Sequence, residues 1–187
     1  MEIDRRKISY ELANQYYQQA FIYDRRTHIK SLGFTFRNEA KGFQIVIPQP
    51  ETGKSLKSLI GKACYTFYKG EHSSHIEIFK SQWDYLSWAT ITKRSRPKFD
   101  TYILNGFGNV PHLLSNLEEK ESEIRSIVDF MPNCVTGRYA SEALESFSEE
   151  KGFRYGAQNY IFSGYNDLSA FWMNCSDREG FIKTIYN

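Results

Sequence analysis

The sequence predicts an α/β protein: a mainly parallel sheet with helices on both faces, preceded by an N-terminal α+β extension. Three observations predict it. From His75 onward, short runs rich in β-branched and aromatic residues alternate with helical stretches, the rhythm of strand–helix–strand units. The runs "HIEIF", "FDTYILNG" and "IRSIVDFM" are largely apolar, as strands covered on both faces are. The preceding chain lacks that rhythm, and the polar "KGEHSS" turn, Lys69 to Ser74, marks the change. The chain therefore divides into an extension, 1–70, and an α/β unit, 71–187.

Each element has its own signal. Ile8, Leu12, Tyr16 and Ala20 share one face and predict a helix from Ile8 to Ala20. A basic segment with Arg25, Arg26 and Lys30 follows. "GFQIVIPQ", Gly42 to Gln49, reads as a strand closed by Pro48, and "PETGKSLKSLIGK" as a turn-rich basic connector. "ACYTFYKG" reads as a strand. "HIEIF" leads into a helix from Trp83 to Thr92, then "FDTYILNG" ends in an Asn-Gly turn. "VPHLLSNLEEKESE" carries a helix with Pro111 near its start, where a missing N–H costs little. After "IRSIVDFM" comes a helix, "TGRYASEALESFSEEKG", stopped by Gly152. "FRYGAQNYIF" is a weaker strand, and "NDLSAFWMN" and "DREGFIKTIY" are short helices.

Composition narrows the function classes. The 187 residues suit one domain, or one with an extension, and a net charge of +2 gives no global field toward nucleic acid. Any basic site must be local. No stretch approaches the roughly 18 apolar residues of a membrane span, and the polar N-terminus does not read as a secretory signal. Three dispersed cysteines, Cys64, Cys134 and Cys175, fit reduced thiols in a cytoplasm. No cysteine or histidine pair has the spacing of a metal site with a third ligand in view; His72 and His75 read as structural or solvated. There is no nucleophile elbow, no glycine-rich dinucleotide loop and no phosphate-binding P-loop.

Functional groups in such sheets gather at the carboxyl ends of the strands. Those ends offer Lys80 with Asp84, Asn105 with Asn109, Asp129, and Asn166 with Asp167. Their order carries a resemblance. "FKSQWDYLSW", "TYILNGFGN", "SIVDFMPNCVTGRYASEAL" and "GYNDLSAFW" succeed one another much as the motifs of a Toprim domain do. The region from about Ile76 to Phe171 thus resembles the α/β module of primases and topoisomerases. It is most similar to the primase-like Toprim proteins of mobile elements, and "GFQIVIPQ" looks like the strand that precedes their Toprim module. The resemblance implies a Toprim-like sheet, an acidic Mg²⁺ site and a role in DNA processing.

The departures from the family pattern bear on chemistry. Lys80 stands where the family has its glutamate, the proposed general acid/base, and Ser81 where it has glycine. Asp84 matches the aspartate of that turn. Asp129 fits the first acid of the family's Asp-x-Asp, but Met131 occupies the second. Anchoring on Gly137 instead puts Pro132 and Cys134 at the two acids, a poorer match. Asp167 fits the late acid. Mg²⁺ takes hard oxygen ligands; an ammonium repels it and a thioether does not hold it. Lys80, Asp84, Asp129 and Asp167 therefore read as a degenerate site with no assigned catalytic residue. Lys80 would neutralise Asp84 and Asp129 in place of an ion, and Lys80→Ala would then destabilise the fold. Ser81 reads as the cap of the following helix.

Two basic runs remain. Lys93, Arg94, Arg96 and Lys98 come after a helix, where cations suit its C-terminus. With Lys54, Lys57 and Lys62 they would form a phosphate-tracking patch for DNA or RNA. Trp83, Tyr85, Trp88, Phe171 and Trp172 lie at helix-face spacing and read as core. The expectation is a pseudoenzyme, an accessory of DNA processing that binds nucleic acid or a protein partner and needs no cofactor. Two alternatives stand beside it. One is an active Mg²⁺-dependent nuclease or primase accessory using Asp84, Asp129 and Asp167. The other is a pure protein-interaction domain presenting the N-terminal aromatic helix.

Overall fold

The computed structural model describes residues 2–26, 28–49, 52 and 54–186. Two one-turn helices, α1 (Glu2–Arg5) and α2 (Tyr10–Ala13), lead into four strands: β1 (Gln18–Asp24), β2 (Ile29–Arg37), β3 (Phe43–Gln49) and β4 (Lys54–Ile60). These pair in chain order as an antiparallel sheet. The second sheet is built from β5 (Thr66–Tyr68), β6 (His72–Phe79), β7 (Phe99–Ile103), β8 (Ser126–Phe130) and β9 (Arg154–Ala157), in the order β5-β7-β6-β8-β9. Only β5 runs antiparallel. Helices α3 (Gln82–Ile91), α4 (Val110–Glu118) and α5 (Val135–Lys151) connect the parallel strands, and α6 (Leu168–Asn174) and α7 (Arg178–Tyr186) come last.

The expected architecture is present: a parallel-containing sheet covered on both faces, with an N-terminal antiparallel sheet before it, although β5, read as part of the extension, joins the second sheet. Alternation along the strands sorts two cores. Phe79, Ile103 and Phe130 face α3, while Ile76, Ile78, Ile127 and Met131 face α4 and α5. Helix α3 is apolar on almost every side because it lies between the two sheets. On one side Phe79 stacks on Phe130, whose ring also meets Trp88. On the other, Trp83 receives Phe34 and Phe36 edge-on at 5.5 and 5.6 Å.

The extension departs most from the sequence reading. The helix predicted from Ile8 to Ala20 is a single turn capped by Ser9, after which the chain turns into β1. All seven residues of β1 pair with β2, so ladder bonding overrides the helical spacing. Tyr16 and Tyr17 accordingly pack inward, on Tyr68 and Tyr85 and on Phe34, and present no aromatic helix to a partner. The segment read as a basic connector is β4, paired with β3 over seven residues. Its lysines suit an edge strand, where charge discourages pairing with another chain. The weak strand "FRYGAQNYIF" is β9 followed by a 3₁₀ turn, Asn159–Phe162.

Two glycines secure the turns around α5. Gly152 ends the helix in the left-handed conformation, φ 72°, as predicted. Gly137 lets the first turn of α5 rest on the loop after β8, since an added Cβ would lie 2.0 Å from the Pro132 carbonyl oxygen. Gly137→Ala is expected to cost about 1–3 kcal/mol, read as a lower denaturation midpoint at unchanged denaturant slope.

Candidate functional site at the carboxyl end of β6

Strand β6 lies between β7 and β8, and the connections that leave β6 and β8 run in opposite directions, α3 to β7 and α5 to β9. That reversal opens the sheet at its carboxyl edge. Lys80 and Ser81 continue from β6 there, and Ser81 starts α3: its hydroxyl accepts the Asp84 N–H at 3.3 Å, as the capping reading predicts.

Asp84 is buried and joins two helix starts. Its Oδ1 accepts the Ser169 N–H of α6 at 3.1 Å, and its Oδ2 accepts the Ser81 hydroxyl at 2.5 Å. Burial and the neighbouring Asp167 charge push its carboxyl up to about 6; the two serine hydrogen bonds and Lys80 act the other way. Asp167 caps α6 by accepting the Ala170 N–H at 2.8 Å. Its second oxygen accepts the Asn166 amide at 3.3 Å.

A second lysine completes the group. Packing of the N-terminal sheet on α3 brings Lys57 of β4 over the edge, with its amine against that of Lys80. Lys57 as a whole is exposed, and it lines a notch together with Lys80. Desolvation first, and then the Lys80 ammonium, bring Lys57 down to about 8, while Asp84 and Asp167 oppose the shift. The same notch is also lined by Gln44, Trp83 and Asn105. Cys134 caps α5 nearby; burial raises its thiol, but hydrogen bonds from Thr136 and the Gly137 N–H, with Lys80, bring it below its ordinary value.

Lys80, Asp84 and Asp167 are thus brought together, but Asp129 is not. Its register partner on β6 is Ile78, one pleat below Lys80, and its side chain faces α5. There it accepts from the Met131 N–H, the Ser141 hydroxyl and, in a short contact, the Tyr155 hydroxyl. Burial raises its carboxyl, and these donors counter the shift. No lysine contributes, so the expected neutralisation of Asp129 by Lys80 is corrected. Met131, level with Lys80 when the register is continued, is fully buried in the α4–α5 core. The residues present do not fit the Mg²⁺ centre that the resemblance implies. Two ammoniums occupy the edge, and among the described residues no three His, Cys, Asp or Glu gather as a ligand set.

The single basic patch is also corrected. Lys93, Arg94, Arg96 and Lys98 lie beyond the C-terminus of α3 and lead into β7. They are separated from Lys57 by the length of a ten-residue helix, about 15 Å. Arg94 pairs with buried Glu77 at 3.1 Å, where the Trp88 indole N–H also donates, and Lys98 stands over the Phe99 ring at 5.3 Å. Lys93, Arg96 and Lys98 remain exposed. The Lys54 side chain lies outside the described residues. Asn105, in the left-handed region at φ 59°, donates to the Cys64 carbonyl and Thr66 hydroxyl, and Asn109 donates to the Leu104 carbonyl. Both serve turns. Sequence reasoning missed the Lys57–Lys80 pairing and the Glu77–Arg94 pair. A glutamate inside the apolar run "HIEIF" was the available signal for the latter.

Because Asp84 binds its proton more tightly in the fold than in the unfolded chain, its contribution to stability is present below about pH 4 and is lost as pH rises through about 6. Asp84→Asn keeps an acceptor for the Ser169 N–H and should remove about 3 kcal/mol of that loss. Chemical denaturation of both proteins at pH 4 and pH 7 checks it.

No family model matches the chain, and no curated protein matches it. Solved structures do share its fold. The primase fragment of the bacteriophage T7 primase-helicase superposes with a TM-score of 0.64 at 13% identity, over 97% of this chain and 72% of that one. A chain from the structure of the T7 lagging-strand DNA polymerase interacting with primase domains of two gp4 subunits, bound to an RNA/DNA hybrid and dTTP, gives 0.60 at 11% identity. The superposition covers 98% of this chain and 89% of that one. The chain has a primase-type fold.

Proposed function

We propose that the chain is a catalytically degenerate module of primase type that binds nucleic acid during DNA processing, in a mobile-element setting, without metal chemistry. One observation carries the reading: Lys57 and Lys80 line the same notch at the strand edge where the Toprim resemblance calls for a glutamate and a cation. A position built to hold Mg²⁺ presents acceptors; this one presents donors, and donors suit phosphate. The primase-type fold supports the DNA-processing context, and the exposed Lys93, Arg96 and Lys98 supply a second contact region.

A protein-binding role has a separate observation in its favour. The outward face of the N-terminal sheet leaves Ile29, Leu56 and Ile60 more than half exposed. The metal-dependent alternative has less support, since Asp129 lies away from Asp84 and Asp167.

Two measurements test the proposal. Filter binding or anisotropy with a single-stranded oligonucleotide should show affinity that falls steeply with added salt; absence of binding at low salt sinks it. Mn²⁺ should leave the melting temperature of the wild type unchanged. Lys80→Glu, which sets a third carboxylate beside Asp84 and Asp167, should acquire a Mn²⁺-dependent rise. Metal-dependent nicking by the wild type, abolished in Asp84→Asn, would favour the catalytic alternative.

A further inference from the structure

The charge inversion at the edge of β6 also selects a ligand group, a step that rests on the nucleic-acid reading. Lys57 of the N-terminal sheet and Lys80, just beyond β6, line one notch from its two sides. Among the described residues neither forms an ion pair. The carboxylates that share their surroundings are already committed. Asp84 is held by the Ser81 hydroxyl and the Ser169 N–H, and Asp167 by the Ala170 N–H and the Asn166 amide. Lys80 also stands over the Phe107 ring at 5.9 Å, a contact that leaves its N–H groups unspent. Two adjacent ammoniums thus keep unspent donors and repel each other.

We propose that Lys57 and Lys80 together grip one phosphoryl group, a backbone phosphate of a nucleic-acid strand crossing the junction between the two sheets. A phosphate oxygen between the amines replaces their repulsion by two charge-assisted hydrogen bonds. The adjoining notch has a volume of about 20 Å³, room for about one water, so the ligand stays at its mouth, where the two amines meet a phosphate oxygen and no base or ribose is enclosed. Recognition at this point is of charge, independent of sequence, as expected for a contact that positions a strand. The grip also spans the two halves: Lys57 rides on β4 and Lys80 on the end of β6, so a bound phosphate ties the N-terminal sheet to the parallel one.

The test uses the full chain, a labelled oligothymidylate, dTTP and inorganic phosphate. Oligothymidylate binding should weaken roughly tenfold in Lys57→Ala and in Lys80→Ala, and the salt slope should fall by about one in each. Arginine at either position should restore binding, and thermal melts confirm that the variants fold. By lysine ¹³C NMR, the Lys57 midpoint should rise from about 8 as the oligonucleotide binds. If the oligonucleotide binds but both alanine variants match the wild type in affinity and salt slope, the phosphate grip is wrong and the nucleic-acid reading stands. If no oligonucleotide binds while inorganic phosphate raises the Lys57 midpoint, the anion site stands and the nucleic-acid reading falls. Tighter binding of dTTP than of the oligonucleotide overturns the backbone assignment.

Discussion

The packing of Phe34 and Phe36 on Trp83 is the contact on which the candidate site depends. Trp83 sits in the first turn of α3, two residues beyond the Ser81 cap, so its ring is fixed relative to the end of β6. Arg6 covers the same indole at 4.6 Å from the ring centre and donates to the Ser169 hydroxyl at 2.8 Å. The N-terminal sheet is thereby seated on α3, and the helical segment before it on α3 and α6. Strand β4 of that sheet then falls beside the carboxyl end of β6, and Lys57 meets Lys80. Without that seat the two lysines would belong to unrelated surfaces.

The acidic side of the group is governed by hydrogen bonding. Asp84 serves Ser81 and Ser169, and Asp167 serves Ala170, so each carboxylate organises the start of a helix. Asp167 stabilises the start of α6 through an orphan N–H group and the helix dipole, while Asp84 holds both helix starts by hydrogen bonds that offset part of the cost of its burial. The presence of these two acids therefore has a structural explanation in the helix starts they serve. Elsewhere the same economy holds: buried Glu77 is answered by Arg94 and Trp88, and buried Asp129 by Tyr155, Ser141 and a backbone N–H.

How much of this was legible in the sequence depended on where each signal is written. The βαβ half was legible because apolar strands, the Ser81 cap, Pro111 and Gly152 act locally. The N-terminal sheet was not, because β1, β2 and β4 owe their form to pairing partners: "KSLKSLI" resembles a connector until β3 lies beside it. The site divided in the same way. Lys80, Asp84 and Asp167 were found from their order along the chain. Asp129 was misplaced because the strand motif does not reveal which pleat level meets the edge. Lys57 was assigned to the wrong neighbours because a lysine's reach across two sheets is a tertiary fact.

The position of Met131 sets a limit on the site. Lys80 is half-buried at an edge, and many residues can stand there at little cost to the fold. Met131 is sealed beneath α4 and α5, among Leu113, Leu117 and Leu144. A carboxylate in its place would be a charge without a partner in an apolar core, a change of several kcal/mol against a stability of similar size. The two positions thus differ in what they admit. The edge at residue 80 can vary freely, whereas an acid at residue 131 would have to be built into the packed core, so the interior of this fold bars a paired-acid centre at that level.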